Sequence, residues 1–445
     1  MTLLDEIPYD FQTRRLSVKT SQGEVITKGA FAEVTELCVD VPAAAQEQFE
    51  RFSFEGNRVI AIASKSEAID TKLDETHLTL RGLLIFSDPP KADAAKALAE
   101  IKDLGIDVFI ITGDNPIVAS ALATKVGVMA QGVITGDELA TLPREELMQR
   151  VQDCRIFASV NPMQKKNIIE LLQAAGHTVG FFGDGINDAA ALRAADVGMS
   201  VSNAVDVAKS SAAIVLMTKD LGVIAHGIEL GRRTFVNTLK YIKVTISANF
   251  GNMLSMAISS FFLTFLPMLP AQILLLNFLS DFPDLAIATD NVDKEDVRHP
   301  RVWDVVEIRT FMIIFGVVST CFDLPVFAIL IWGFNVDPAT FRTTWFVEST
   351  MTELVAMLVL RTTLPFWRSR PSNLLLGSTI GLGVIVVAFP YIALGASLEL
   401  VPLSAALMAT VMGIIITYII ANEVTKKIYY KRHNAEHARE NAALS

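Results

Sequence analysis

Residues 182–188 read Phe182-Gly183-Asp184-Gly185-Ile186-Asn187-Asp188, which places two carboxylates and an amide around a glycine turn. Residues 177–182 are mostly apolar and partly β-branched, which predicts a buried parallel strand, and a helix-like run follows at residues 189–195. In α/β sheets, ligands bind at the carboxyl ends of the strands. Two acids this close repel each other unless a cation lies between them, and Mg²⁺ accepts oxygen ligands of this kind. Asp184 and Asp188 are therefore predicted metal ligands, with a capped glycine turn as the simpler alternative.

Three more motifs precede this one along the chain. Asp88-Pro89-Pro90 and Thr112-Gly113-Asp114-Asn115 each follow an apolar run, and Asn161-Pro162 opens a helix that offers Lys165. In this order, the four motifs resemble the phosphorylation domain of P-type ATPases. The resemblance implies catalytic roles for Asp88, Thr112, Gly113, Asp114, Lys165 and Asn187, with Mg²⁺ held by Asp184 and Asp188. It also implies a haloacid-dehalogenase-like, doubly wound parallel sheet over residues 79–220.

The composition separates two regions of the chain. It has 445 residues, of which 51% are hydrophobic, and the long apolar runs lie beyond residue 239. A net charge of −10 argues against a nucleic-acid partner. The three cysteines, at positions 38, 154 and 321, are scattered and have no metal-ligand spacing. Residues 1–11 are acidic and polar, so no signal peptide is expected there.

Residues 1–78 resemble the second half of the nucleotide-binding domain of the same family. There an aromatic ring stacks on adenine while a lysine and an arginine face the phosphates, and the matching residues here are Phe11, Lys28 and Arg58. An aromatic face with fixed cations is suited to a nucleotide. The resemblance thus implies ATP and Mg²⁺ as cofactors. The alternative is that Phe11 belongs to the core and Lys28 is a solvated turn residue.

Two sequence motifs of the family are absent from the 445 residues. One is the DKTGT string, whose aspartate is the nucleophile that forms an aspartyl-phosphate, and the other is the TGE loop. We therefore expect this chain to represent the carboxyl-terminal portion of a pump, with an amino-terminal half as a partner. Alone, it is not expected to complete an ATPase cycle.

The region 221–445 is predicted to be an all-α membrane domain. A span needs about 20 apolar residues, and six candidate spans lie at 240–266, 269–289, 310–333, 342–361, 373–395 and 402–421. Lysines and arginines flank these segments in alternate connections. The positive-inside rule then places both termini in the cytosol of a multi-pass protein in the plasma or inner membrane, with the lipid bilayer as a partner.

Polar side chains within these spans indicate a site for a transported cation. Asn249 and Asn252 are three residues apart, and the next span contains Asn277, Ser280 and Asp281 before a helix-breaking proline. Matching positions in the calcium pumps of the family carry the transported ion, although those pumps have a glutamate where this chain has Asn252. Asp281 is the expected main ligand. Glu348 and Glu353 of the fourth predicted span are further candidates, with Glu348 the better match to the family, and helix packing or pairing with Arg361 is the alternative for both.

The identity of the ion is indicated only by loop sequences. Residues 265–270, 289–293, 298–304 and 345–348 resemble the magnesium-transporting branch of the family. A magnesium pump is therefore the first hypothesis. A pump for calcium or another cation is the second, and a non-catalytic fragment or partner of a split pump is the third. A soluble phosphatase is disfavoured by the absent nucleophile and by the predicted spans.

Overall fold

The computed structural model describes residues 2–10, 13–68, 73–87, 89–129, 132–218, 220–298 and 300–444, with side chains to residue 432. The chain forms two compact units, Met1–Gly227 and Ile228–Ser445. The predicted domain boundary near residue 220 lies close to this division.

The first unit begins with an antiparallel sheet of five strands in sequential order. Its strands are β1 (Leu3–Asp10), β2 (Arg15–Thr20), β3 (Glu24–Ala30), β4 (Arg58–Ser66) and β5 (Thr79–Phe86). Alternate residues of β3 are buried, as expected for a sheet with one face on the core. Val25, Ala61 and Leu78 belong to the buried cluster on that face. The sheet continues across the boundary that we predicted at residue 79.

The remaining strands of this unit are all parallel. They form two three-stranded sheets, in the orders β6-β8-β7 and β11-β10-β9. Their bounds are β6 (Ile110–Ile111), β7 (Val133–Thr135), β8 (Ile156–Ala158), β9 (Gly180–Phe182), β10 (Val197–Val201) and β11 (Ile214–Leu216).

This arrangement corrects one detail of the predicted doubly wound sheet. Residues 79–86 do not join the parallel strands, because they pair antiparallel with β4 along their length. The described parallel strands also form two sheets rather than one. Ile111 and Val179 nevertheless pack against the hydrophobic clusters of both sheets.

Nine helices accompany the strands of the described part of this unit. They are α1 (Phe31–Thr35), α2 (Ala43–Phe54), α3 (Ala94–Asp103), α4 (Pro116–Lys125), α5 (Gly136–Thr141), α6 (Arg144–Asp153), α7 (Pro162–Ala174), α8 (Ala189–Ala194) and α9 (Asp206–Ser211). A 3₁₀ turn, Ile186–Asp188, precedes α8. The motif residues fix two helix starts, because the Asn115 and Asn161 side chains cap α4 and α7 and a proline follows each.

The second unit is helical in its described residues. Its helices are α10 (Gly222–Ser259, which begins in the first unit), α11 (Pro270–Ala286), α12 (Lys294–Arg298), α13 (Val305–Ala328), α14 (Pro338–Leu360), α15 (Asn373–Ala388), α16 (Ala393–Ser397) and α17 (Ala405–Leu444). Short 3₁₀ or π segments, Ile287–Thr289, Ile329–Gly333 and Phe389–Tyr391, extend three of them. Pro283 and Pro325 lie inside α11 and α13.

Among the described residues, four segments are long and apolar enough to cross a membrane, whereas we predicted six. The four are Pro270–Thr289, Val305–Gly333, Asn373–Tyr391 and Ala405–Arg432. The predicted spans 240–266 and 342–361 also lie mostly in helices, α10 and α14, but these helices do not meet the same standard. The reason is their polar content, since α14 alone buries two glutamates and several threonines and serines.

Helix α14 is buried in the centre of the described bundle. It packs against α11, α13, α15 and α17, and Phe341, Trp345 and Phe346 on it belong to the largest hydrophobic cluster. Because neighbouring helices cover its sides, α14 can carry polar residues without presenting them to lipid. The helix therefore places polar groups in the interior of an otherwise apolar bundle.

Candidate functional site

The Thr112–Asp114 loop and the Ser159–Asn161 loop are joined at the carboxyl ends of β6 and β8. The backbone N–H of Ser159 donates to the carbonyl of Asp114 at 2.7 Å, and that of Val160 donates to the carbonyl of Thr112 at 3.2 Å. Within the first loop, the Thr112 hydroxyl donates to Asp114 Oδ2 at 3.0 Å. These bonds hold the Asp114 carboxylate in a defined position at the end of the sheet.

Lys165 and Asp188 form a close ion pair at the end of β9. Their Nζ and Oδ1 atoms are 2.7 Å apart, and the side chains are 14% and 13% exposed. The second oxygen, Oδ2, accepts from the backbone N–H of Gly185 at 3.1 Å. Asp188 is thus oriented by a cation on one oxygen and by the glycine turn on the other.

Gly183 allows this turn to fold tightly. A Cβ atom at position 183 would lie 2.6 Å from the Cβ of Asp188, well inside van der Waals contact. Asp184 and Asn187 lie half-buried in the same turn, and the carbonyl of Asp184 accepts from the backbone N–H of Val205 at 3.3 Å. The turn therefore needs a glycine to bring its two aspartates to one strand end.

Of the predicted nucleotide residues, the structure describes Lys28 and Arg58, which lie on the neighbouring strands β3 and β4. Arg58 pairs with Asp114, with Nε 3.0 Å from Oδ1, so it lies beside the loop that follows β6. Lys28 is exposed on β3. Phe11 and the predicted catalytic residue Asp88 lie outside the described residues.

Arg14 is a contact residue whose position the motifs did not predict. Its Nη2 donates to the carbonyl of Ser159 at 2.6 Å, and its Nη1 lies 3.5 Å from Glu33. Arg14 has a positive φ of 46° in the turn before β2. No sequence signal links residue 14 to residue 159, because the contact depends on how the antiparallel sheet packs on the parallel one.

In the second unit, the three predicted asparagines line one cavity between α10, α11 and α14. Asn249, Asn252 and Asn277 share it with Trp345 and Ser349, and the remaining lining is apolar. The Ser349 hydroxyl donates to Asn252 Oδ1 at 3.0 Å. The three amides thus reach one cavity from two helices, α10 and α11, and α14 contributes Ser349.

The predicted carboxylates are distributed differently. Asp281 is exposed on α11, whereas Ser280 and Asp284 on the same helix are buried. Asp284 Oδ2 accepts from the Thr245 hydroxyl at 2.7 Å. The role of Asp281 as the main ligand therefore remains a prediction, and the inward-facing acid of this helix is Asp284.

Glu348 lies away from the asparagine cavity and faces Asp323 of α13. It is 0% exposed, and both of its carboxylate oxygens lack a hydrogen-bond partner. Asp323 accepts from the Ser255 hydroxyl at 2.5 Å and from the Trp345 indole N–H at 3.1 Å. Arg361, the alternative partner considered for Glu348, instead pairs with Asp290 at 2.9 Å.

Two family models match the chain, one in each unit. A model described as haloacid dehalogenase-like hydrolase matches residues 2–196, and one described as cation transporting ATPase, C-terminus, matches residues 265–428. The first covers the loops around Lys165 and Asp188. The second covers most of the described bundle.

Curated relatives extend this similarity over nearly the whole chain. The "Magnesium-transporting ATPase, P-type 1" of Escherichia coli (strain K12) is 38% identical over 456 residues, which cover 97% of this chain and 51% of that protein. A Salmonella typhimurium (strain LT2) protein of the same name has the same identity and coverage. The "Probable cation-transporting ATPase F" of Mycobacterium tuberculosis (strain ATCC 25618 / H37Rv) is 34% identical over 297 residues, which cover 61% of this chain and 33% of that protein.

The chain spans about half the length of the first two relatives. The motif order, the parallel strands, the apolar helices and both family models agree with one another. The chain therefore belongs to the P-type cation ATPases, corresponds to their carboxyl-terminal portion and is similar to the magnesium-transporting branch.

Proposed function

We propose that this chain supplies the phosphate-handling site and the ion path of an ATP-driven magnesium pump. The observation that carries this proposal is the Lys165–Asp188 pair, which lies at the carboxyl end of a parallel strand next to a second aspartate, Asp184. A lysine and two carboxylates in this position suit a phosphoryl group and its Mg²⁺.

In this proposal, the role of each residue at the strand ends follows from its charge. Lys165 neutralises negative charge on the transferred phosphoryl group, and the Thr112–Asp114 loop positions it. Asp184 and Asp188 hold Mg²⁺, which supplies further charge neutralisation when bound. Two carboxylates suffice, because Mg²⁺ takes its other ligands from phosphate oxygens and water. Asn187 orients this turn, and Asp88 is the remaining proposed catalytic residue of the phosphate site.

The nucleophilic aspartate has to come from outside these 445 residues. The two parallel sheets suggest where the segment that carries this aspartate would bind. Strands β6 and β9 are edge strands in the described structure, and Ile111 packs against the hydrophobic clusters of both sheets. A further parallel strand between β6 and β9 would join them into one doubly wound sheet. We propose that an amino-terminal half supplies that strand.

For the nucleotide, we propose a site near Lys28 and Arg58, with Phe11 as the stacking residue. The Arg58–Asp114 pair links this region to the phosphate site. ATP bound there would compete for Arg58, because a phosphate carries more negative charge than the Asp114 carboxylate.

In the bundle, we propose that α10 and α14 lie in the membrane together with the four apolar helices, giving six. The asparagine cavity supports this, since Asn249, Asn252 and Asn277 are contributed by α10 and α11 and lie against α14. Neutral oxygens of this kind suit Mg²⁺ that keeps several of its waters. Ser280, Asp281 and Glu348 are the further proposed ligands, and both termini are proposed to be cytosolic.

Co-production of the chain with the amino-terminal half of the E. coli relative tests this proposal. Neither half alone should form an acid-stable phosphoprotein from labelled ATP, whereas the pair should, and it should also move Mg²⁺ into proteoliposomes. Asp184→Asn should abolish the phosphoprotein. The matched control is Asp206→Asn, because Asp206 is almost fully exposed and pairs only with Lys209 of its own helix. Normal phosphorylation of Asp184→Asn would contradict the proposed metal site. Transport of Ca²⁺ but not of Mg²⁺ would contradict magnesium as the transported ion.

A further inference from the structure

A second polar cavity lies next to the asparagine cavity in the bundle. Its lining includes Glu353, Asn252 and five hydroxyl-bearing residues, Ser247, Ser319, Ser349, Thr352 and Tyr418. Asn252 and Ser349 line both cavities. The two cavities therefore lie next to each other along α10 and α14.

Glu353 is the carboxylate of this second cavity, and no lysine or arginine among the described residues pairs with it. It is 9% exposed, and its Oε2 atom has no hydrogen-bond partner. The Ser280 hydroxyl donates to its carboxylate, and the charged groups that act on it, Asp284 and Asp281 of α11, are both acidic. Asp284 is itself buried and accepts one hydrogen bond from Thr245. A buried carboxylate next to another buried acid is costly unless a proton or a cation is bound there.

The lining suits a divalent cation that leaves most of its waters behind. Hydroxyl and amide oxygens accompany a single carboxylate, and the cavity, about 10 Å³, has room for about one water molecule. The shared residues Asn252 and Ser349 would allow the ion to pass between the cavities without leaving polar surroundings. The Asp323–Glu348 pair differs, because both oxygens of Asp323 already accept hydrogen bonds and neither acid lines the two cavities.

We propose that Glu353 is the carboxylate ligand of a second binding site for the transported divalent cation, next to the asparagine cavity and connected to it through Asn252 and Ser349. This inference rests on the proposed function, since it assumes that the bundle carries such an ion. It adds a residue and a position to the path and changes where the charge of the ion is neutralised.

Mn²⁺ binding to the full chain in nanodiscs, followed by electron paramagnetic resonance, tests the site. All variants carry Asp184→Asn, which removes the proposed metal site of the first unit. Glu353→Gln should weaken the tightest remaining Mn²⁺ binding at least tenfold, whereas Glu399→Gln, an exposed acid of the same unit, should not change it. Asn277→Ala should weaken only the Mn²⁺ binding that takes place in the asparagine cavity.

A second measurement needs no substitution at the site. Dicyclohexylcarbodiimide, which modifies carboxyl groups in apolar surroundings, should label Glu353 of the native chain, and Mg²⁺ should protect it, as read by peptide mass spectrometry. Unchanged Mn²⁺ binding in Glu353→Gln together with weaker binding in Asn277→Ala would overturn this inference and leave the proposed function intact. Labelling that responds to pH but not to Mg²⁺ would show a proton site and overturn it too. If the bundle binds no Mn²⁺ in the parent chain, both proposals fail.

Discussion

The first unit pairs the carboxylates of its candidate site with cations, whereas the second unit buries glutamates that have none. Asp188 contacts Lys165 and Asp114 contacts Arg58. Glu348 and Glu353 are at most 9% exposed, and three of their four oxygens lack hydrogen-bond partners. A paired acid is stable while its site is empty, but an unpaired buried acid requires a proton or a cation. Under the proposed function, this difference fits a phosphate site in the first unit and an ion path in the second.

The largest expected effect breaks the pairing in the first unit. Lys165→Met should lower phosphoprotein formation by the paired halves by about 10²-fold or more, because removing one fixed charge from a transition state typically has this effect. Asp188 would also lose its cation while remaining largely buried. Phosphorylation from labelled ATP measures the change.

Lys166→Met is the matched control for that variant. Lys166 is the next residue, is more exposed and pairs only with Glu170 one turn along α7. Exposed pairs of this kind contribute well under about 1 kcal/mol. If both lysine variants lose activity equally, the Lys165–Asp188 pair has no special role.

A second prediction concerns the turn that carries the paired acid. Gly183→Ala should destabilise the first unit by about 1–3 kcal/mol, the usual range for overpacking, because the added methyl group would meet Asp188 at 2.6 Å. Gly82→Ala should have little effect, since a Cβ there meets nothing within 4 Å. Hydrogen exchange of amides in β9 and β10 measures the difference, and equal protection in the two variants would contradict the assigned strain.

The strand-end motifs of the first unit were predictable because each depends on neighbours in the chain. Asn115 and Asn161 cap their own helices, and Gly183 and Asp188 lie in one turn. The antiparallel pairing of residues 79–86 was not predictable in this way, because a short apolar run is compatible with either type of sheet. The Arg14–Ser159 contact likewise joins residues 145 positions apart.

In the bundle, the sequence indicated polar residues but not the direction that each one faces. Asn249 and Asn252 are three residues apart and line one cavity. For α11, the same reasoning selected Asp281, which is exposed, while Asp284 three residues later is buried. Helical periodicity gives the angle between two residues, but only packing against neighbouring helices decides which of them points inward. Helix α14 carries more polar residues than the four apolar segments because neighbouring helices cover it, and the apolar count of the sequence did not show this.

A third prediction tests whether Glu348 needs its charge. Glu348→Gln should change the stability of the second unit by less than about 1 kcal/mol, because it removes no ion pair and its new amide can donate to Asp323. Tryptophan fluorescence during urea unfolding reports this, since all four tryptophans, Trp303, Trp332, Trp345 and Trp367, lie in that unit. A loss of several kcal/mol would show that Glu348 is ionised and paired, and would remove the contrast between the units.

The smallest expected effect is a pH dependence in the first unit. The backbone N–H of Thr135 donates to Glu138 at 2.8 Å, and Arg150 pairs with the same carboxylate at 3.0 Å. The Thr135 bond, aided by Arg150, lowers the pKa of Glu138 below its usual value despite partial burial. A lowered pKa means that the ionised form stabilises the fold above the unfolded pKa, about 4.3, and that this contribution is lost as the pH falls through the folded value.

Hydrogen exchange of the α5 amides should therefore separate native protein from Glu138→Gln by only about twofold at pH 6, because the side chain is partly exposed and solvent screens the pair. The two should converge as the pH falls through the lowered pKa of Glu138, below which both side chains are neutral. Glu145→Gln, an exposed acid on the next helix, should match the native protein across this range. A difference that persists below the lowered pKa of Glu138 would mean that Glu138 acts through packing rather than charge, and the expected pH dependence would then be wrong.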